Sequence, residues 1–265
     1  YYIIIMGLEY TSEKGHWYTL EGKPFYTLVG KNGKERNTTL RDARKLNLVP
    51  SVTTILDQAA KPGLVNWQIN QGIQAALTLP REEDETDEQF LYRVRQDSKE
   101  QAEKAAEQGT IIHADINMGF AGKKESKTFS CVDKIVNGLF PNQEWLSEKS
   151  YTSKEKGYGG AIDLHSKTGI VIDFKTKDNL KGVEEKSLVF DNHGMQLSAY
   201  SQLLKINPKN LTRVSIFIDR KNPEVIVSHV WDRESHKRHI EMFNALLTYW
   251  KCLKKHDPTK KLKEK

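Results

Sequence analysis

Apolar positions at helical spacing dominate residues 51–142. Ser51 can cap a helix there, and Lys61-Pro62-Gly63 is expected to stop it. Upstream, residues 16–30 are typical of two aromatic-rich strands around a Glu-Gly-Lys-Pro turn, followed by a polar loop, KNGKERNTT. Later helices are predicted over 64–77, 88–116 and 129–139. The pattern therefore indicates an N-terminal β-hairpin and loop over 1–50, then a helical lobe over 51–142.

The pattern changes from residue 143 onward, where short runs rich in β-branched residues alternate with helical ones. A helix over 193–205 is expected to end at Asn207-Pro208, and Asp232 can cap a last amphipathic helix. Strands are predicted over 144–153, 159–166, 169–175, 214–219 and 225–231. This order predicts an α/β (α+β) fold, with a core domain over 143–256 and a loose basic tail over 257–265.

Charge and composition narrow the class of protein. The 265 residues carry a net charge of +6, which suits a polyanionic partner such as nucleic acid. No apolar run approaches the ~20 residues that cross a bilayer, and the opening Tyr-Tyr-Ile-Ile-Ile has no basic segment before it, as a signal peptide would. Two distant cysteines favour a reducing compartment. We therefore expect a cytoplasmic protein, without a membrane partner, in a phage or bacterial host cell.

The stretch GYGGAIDLHSKTGIVIDFKTK, residues 157–177, carries the candidate chemistry. Because strand side chains alternate, Asp173 and Lys175 should share a face while Phe174 points into the core. Asp163 lies near the end of the preceding strand, but hairpin pairing alone is not expected to place it opposite Asp173, so a bulge or splayed strands would be needed. Carboxylates suit a hard cation such as Mg²⁺ or Mn²⁺, and an ammonium suits a phosphate oxygen or a water. An Asp-x-Lys pair by itself is more often an ordinary surface pair.

The fuller pattern resembles a known family. GGAIDL and VIDFKTK are similar to motifs II and III of the PD-(D/E)XK nuclease superfamily. GTIIH resembles the histidine motif of its RecB-like exonuclease branch, and MQLSAY resembles the Gln-x-x-x-Tyr motif. PSVTTIL resembles the N-terminal motif of phage exonucleases and of the mitochondrial genome maintenance exonuclease. The resemblance covers about residues 50–250 and implies a restriction-endonuclease-like core.

The resemblance implies a role for each matching residue. His113, Asp163, Asp173 and the backbone carbonyl of Phe174 would be metal ligands, for one or two Mg²⁺ or Mn²⁺ ions. Lys175 would orient or activate the attacking water and stabilise charge on the phosphate. A lone histidine on a helix is otherwise more often packed or solvated than a ligand.

Further site residues flank these. Gln196 would help to fix Lys175 or the substrate, and Tyr200 would line the same groove, although the pair could also be an ordinary amphipathic boundary. Thr176 would bind phosphate in the substrate. Glu148, in the preceding strand, is a possible further ligand.

The implied activity is that of a metal-dependent DNA exonuclease that prefers single-stranded DNA or free ends. Relatives with an iron–sulfur cluster use four cysteines, whereas this chain has two, so no cluster is expected. Two alternatives stay open: a structure-specific or restriction-type endonuclease, and a catalytically inactive DNA-binding module of a recombination complex.

Overall fold

The computed structural model describes residues 16–123 and 125–260. Its chain forms two compact units. The larger unit comprises Tyr1–Ala59 and Asp115–Lys265, and the smaller comprises Ala60–Ala114. The opening residues that bear on a signal peptide lie outside the described part.

The strands, in chain order, are β1 Trp17–Tyr18, β2 Thr27–Val29, β3 Glu35–Asn37, β4 Val49–Pro50, β5 Trp145–Ser153, β6 Tyr158–Ser166, β7 Ile170–Lys177, β8 Thr212–Asp219 and β9 Ile226–Trp231. The helices are α1 Leu40–Leu46, α2 Val52–Leu56, α3 Pro62–Thr78, α4 Asp87–Phe120, α5 Lys127–Leu139, α6 Glu185–Leu188, α7 Asp191–Leu203 and α8 Ser235–Leu253.

A five-stranded mixed sheet with the order β5-β6-β7-β8-β9 forms the centre of the larger unit. Strands β7 and β8 run parallel and the other neighbours are antiparallel. Helix α7 makes the crossover that a parallel pair requires. The first five residues of β7 and all but the first residue of β8 are buried, as central strands with both faces covered should be. This mixed sheet flanked by helices confirms the predicted fold class.

The core of the larger unit lies where α2, α7 and α8 meet β6 and β7, around Tyr158, Leu197, Phe243 and Trp250. A buried arginine, Arg213 of β8, ties this packing together. Its guanidinium donates to Ser198 Oγ at 2.7 Å and to the backbone oxygen of Asp232 at 2.6 Å, and its Nη1 lies 3.0 Å from His239 Nδ1. Because these partners belong to α7, α8 and the turn before α8, one side chain fixes both helices to the sheet.

The N-terminal strands pair differently from the prediction. The two strands in residues 16–30 do not form one hairpin: β1 pairs with β4, and β2 pairs with β3. Strand β3 lies within KNGKERNTT, so the prediction of a loop there was wrong. Helix α1 follows directly, capped by Thr39, whose side chain and that of Asp42 form a reciprocal capping box.

Two further boundaries bear on the prediction. The helix capped by Ser51 ends at Leu56, before Lys61-Pro62-Gly63, and the next helix, α3, already begins at Pro62, where a missing N–H costs nothing. The start of the tail predicted to be loose is partly packed, since Pro258 is buried and Lys251 Nζ lies 3.0 Å from Asp257 Oδ1; residues 261–265 lie outside the described part.

The smaller unit is helical, formed by α3 and most of α4. Arg93 of α4 stabilises the loop between α3 and α4 by hydrogen bonds. Its guanidinium donates to Glu85 Oε1 at 2.6 Å and to the backbone oxygen of Pro80 at 2.8 Å. Within residues 16–123 and 125–260, no helix combines the length and apolar character needed to cross a bilayer.

Candidate active site

Glu148 and Asp163 lie opposite each other on β5 and β6. The pairs Ser147↔Leu164 and Lys149↔Ile162 flank this position on both sides. Glu148 has a φ of 49°, a left-handed conformation that costs roughly 1–2 kcal/mol for a residue with a Cβ and interrupts the ladder. A carboxylate oxygen of Glu148 lies within 4.8 Å of one of Asp163.

Asp163 of β6 and Asp173 of β7 lie one residue beyond the last paired residues of these two strands. The paired positions are Leu164↔Ile172 and His165↔Val171, so one further step places Asp163 opposite Asp173. The turn is centred on Thr168, which sets this register, and the two strands separate at Asp163 and Asp173, as the sequence argument required. The ladder ends at this step, and Phe174 N–H donates instead to Asp163 Oδ2 at 2.8 Å. The carboxylate thus replaces a backbone acceptor where the strands separate.

Asp173, Lys175 and Gln196 form one hydrogen-bonded group. Lys175 Nζ lies 2.6 Å from Asp173 Oδ2 and donates to Gln196 Oε1 at 3.1 Å. Gln196 Nε2 donates to Asp173 Oδ1 at 2.8 Å and to Tyr200 Oη at 3.2 Å. The side-chain amide therefore orients the acid and the amine together, and α7 presents Gln196 and Tyr200 on one face.

Three carboxyl groups come together at this place, of which Asp173 is buried and Glu148 and Asp163 are half-buried. Burial, with the charges of Asp163 and Asp173, raises the pKa of Glu148 to about 8. Burial and the same two aspartates also raise the pKa of Tyr200 well above its usual value. Carboxylate oxygens so arranged are the ligands that hard divalent cations prefer, and a cation would relieve their mutual repulsion.

Gly160 lies against the site, although the sequence analysis assigned it no role. A Cβ added there would stand 2.7 Å from Cε1 of Tyr200, closer than side chains tolerate. The ring of Tyr200 therefore lies directly against the β6 backbone, three residues before Asp163. The signal was present, because the Gly-Gly pair precedes Ala-Ile-Asp in the motif.

Tyr18 is a second residue that the sequence analysis did not single out, and it contacts the backbone of β6 close to Asp163. Its hydroxyl accepts from the N–H of Ala161 at 3.0 Å and contacts Tyr26 Oη at 2.7 Å. The aromatic-rich stretch in residues 16–30 was the only signal for it.

The remaining predicted residues lie at the following places. Thr176 is half-buried on β7, beside Lys175 and in register with Ile218 of β8. His113 is half-buried on α4 and belongs to the smaller unit, next to its last residue. The helix continues without a break into the larger unit as far as Phe120.

No protein-family model and no curated protein matches this chain. Among solved structures, the chain is similar to a protein from Eubacterium rectale presumed to be an exonuclease, with 9% identity and a TM-score of 0.40, over 56% of this chain and 68% of that one. It is also similar to the protein SSO0001, with 16% identity and a TM-score of 0.29, over 71% of this chain and 87% of that one. At these values neither likeness carries an argument about activity.

Proposed function

We propose that this protein is a metal-dependent nuclease that hydrolyses phosphodiester bonds in DNA. The observation that carries the proposal is that Glu148, Asp163 and Asp173 lie side by side across the adjacent strands β5, β6 and β7. Lys175 Nζ lies 2.6 Å from Asp173 Oδ2 in the same place. A cluster of acids beside an amine that is itself held in place matches what phosphodiester hydrolysis needs: cation ligands and a donor to the phosphate.

The donor set fits Mg²⁺ or Mn²⁺, one or two ions, since hard oxygen ligands select those cations. Asp163, Asp173 and the carbonyl of Phe174 would hold the cation, with Glu148 as a further carboxylate. The sequence resemblance also gives His113 the role of a metal ligand. A bound cation supplies Lewis-acid activation of a water and of the scissile phosphate.

The chain's own residues account for the rest of the chemistry. Lys175 donates hydrogen bonds to a phosphoryl oxygen or to the attacking water, and so stabilises charge that grows in the transition state. Gln196 keeps the ammonium aimed and bridges it to Asp173. Tyr200 is protonated at neutral pH like any tyrosine, and burial raises its pKa further, so its hydroxyl serves as a neutral hydrogen-bonding group beside Gln196. The sequence resemblance also gives Thr176 a phosphate contact, but alternation along β7 points its side chain to the face opposite Lys175, so we assign it no part in this group.

The preference for free or single-stranded ends rests on the sequence resemblance, and it can be tested directly. The experiment is a time course on 5′- and 3′-labelled single-stranded and duplex DNA, and on a sealed circle, with Mg²⁺, Mn²⁺ or a chelator. We expect cation-dependent release of nucleotides from linear single strands and no attack on the circle. Equal rates on the circle would favour the endonuclease alternative. Binding without cleavage under either cation would favour the inactive DNA-binding module.

Asp173→Ala tests the site itself. Removing this ligand should lower cleavage by roughly 10³-fold or more while DNA affinity is largely kept, because phosphate contacts by Lys and Arg dominate affinity. Asp133→Ala, which changes an aspartate of α5 that bonds to Asn137, is the matched control and should cleave at the wild-type rate. Normal cleavage by Asp173→Ala would overturn the assignment.

A further inference from the structure

A second lysine on β7 lies beyond the proposed catalytic group. Lys177 is half-buried at the end of the strand, and among residues 16–123 and 125–260 no carboxylate forms an ion pair with its Nζ. Asp219 of β8 lies opposite Lys177, but the Asp219 carboxylate bonds to other groups. It accepts from the N–H groups of Leu180 at 2.8 Å and Lys221 at 2.9 Å. The neighbouring acid Asp178 is likewise taken up by the guanidinium of Arg220.

Two neighbouring cations, each paired with its own aspartate, act on Lys177. Burial, Arg220 and Lys175 all lower the pKa of Lys177. A half-buried ammonium among like charges is electrostatically unfavourable without an anion, and a bound anion would remove that cost.

His193 of α7 provides an independent indication. This side chain is only 6% exposed, and within the described part of the chain its Nδ1 has no hydrogen-bond partner. Burial, followed by the charges of Lys175 and Lys177, lowers the pKa of His193 to about 3, so the ring stays neutral near neutral pH. His193 lies one helical turn before Gln196, which bonds to Lys175, so it shares the face of α7 that packs on β7. A buried polar atom without a partner at such a place is expected where a ligand completes the hydrogen bonding.

We propose that Lys177 and His193 form an anion subsite that binds the phosphate of the nucleotide next to the cleaved bond, which rests on the proposed nuclease function. Residues two apart on a strand are separated by roughly 6.6 Å, so Lys177 can reach a different phosphate from the one held at Lys175. Lysine binds phosphate as a point charge, and such a contact fixes the register of a strand without reading its sequence.

The binding arm of the test measures the affinity for a labelled single-stranded oligonucleotide in chelator, by fluorescence anisotropy at several salt concentrations. Lys177→Gln should weaken binding by about tenfold and reduce the salt slope by roughly one phosphate contact. Lys177→Arg, which keeps the charge, should restore most of the affinity. Lys209→Gln, an exposed lysine before the start of β8, is the matched control and should bind as the wild type does. An affinity of Lys177→Gln equal to that of Lys209→Gln would overturn the subsite.

The catalytic arm compares the oligonucleotide with bis(p-nitrophenyl) phosphate, which carries one phosphodiester and no neighbouring phosphate. Lys177→Gln should lower the ratio of kcat/KM for the oligonucleotide to that for the small ester by about tenfold, through a higher KM for the oligonucleotide. An equal loss on both substrates would show that Lys177 acts on the chemical step and would overturn the proposal. If the wild type hydrolyses neither substrate, the nuclease function fails, and the binding arm alone still decides the subsite.

Discussion

At the scale of single residues, strand alternation alone predicted that Asp173 and Lys175 point the same way, and their side chains lie 2.6 Å apart. The position of Asp163 could not be predicted equally well, because the pairing depends on how many residues the turn takes up. Glu148 was harder still. Its φ of 49° is a backbone conformation that a glutamate in a strand-like stretch does not signal.

Above about pH 8, where Glu148 is also ionised, Asp163→Asn should stabilise the protein in chelator, because it removes one of the like charges at the site. Coulomb repulsion at about 4 Å is on the order of 1 kcal/mol or more, which would raise the Tm by about 2–4 °C. The asparagine oxygen can still accept from Phe174 N–H, so this bond should survive. Adding Mn²⁺ should raise the Tm of the wild type more than that of the variant. A lower Tm of the variant in chelator would refute the repulsion, and differential scanning fluorimetry measures both conditions.

Gln196→Ala should lower kcat by about 10–100-fold with little effect on KM, since Gln196 positions Lys175 and Asp173 rather than binding DNA itself. Steady-state kinetics on a single-stranded oligonucleotide provides the measurement. Gln202→Ala on the same helix is the control, because Gln202 bonds to Lys156 and Tyr158 and should affect stability more than kcat. A pure KM effect of Gln196→Ala would place Gln196 in substrate binding instead.

At the scale of elements, the close contact between β6 and α7 depends on Gly160. Gly160→Ala would place a Cβ 2.7 Å from the ring of Tyr200, so strand and helix must separate. Overpacking of this kind costs about 1–3 kcal/mol, or about 2–4 °C in Tm for each kcal/mol. Gly138→Ala in α5, where a Cβ meets nothing within 4 Å, should instead be neutral or stabilising by about 0.5–1 kcal/mol. Thermal unfolding compares the two, and equal Tm values would contradict the tight contact.

Element boundaries show which local signals can be read and which cannot. Thr39 and Asp42 stand at capping-box spacing, so the missed helix α1 had a readable start. Pro62 was read as a stop although proline is equally suited to a first helical turn. The pairing of β1 with β4 has no local signal, because it joins segments about 30 residues apart and depends on tertiary packing.

At the scale of the whole molecule, the fold class was predictable because the apolar runs of β7 and β8 are typical of central strands, and the order of elements requires a crossover helix. The polar interior was not predictable. Nothing in a lone arginine indicates that Arg213 is buried and bonded to Ser198 and His239. Such groups are found only when the elements around them are assembled.

Buried histidines make the stability of the whole molecule depend on pH. In the folded protein, burial lowers the pKa of His193 to about 3 and that of His236 to about 4, whereas an unfolded histidine titrates near 6.5. Between these pKa values the unfolded chain binds more protons than the folded protein does. The contribution of these histidines to the free energy of unfolding is therefore complete above about pH 6.5 and decreases as the pH falls toward the folded pKa values. Urea unfolding at about pH 7.5 and about pH 5 should therefore show a lower midpoint at the acidic pH. His193→Gln should reduce this difference, because one titrating group is removed. An unchanged difference in the variant would mean that His193 takes up a proton as easily in the folded protein as in the unfolded chain.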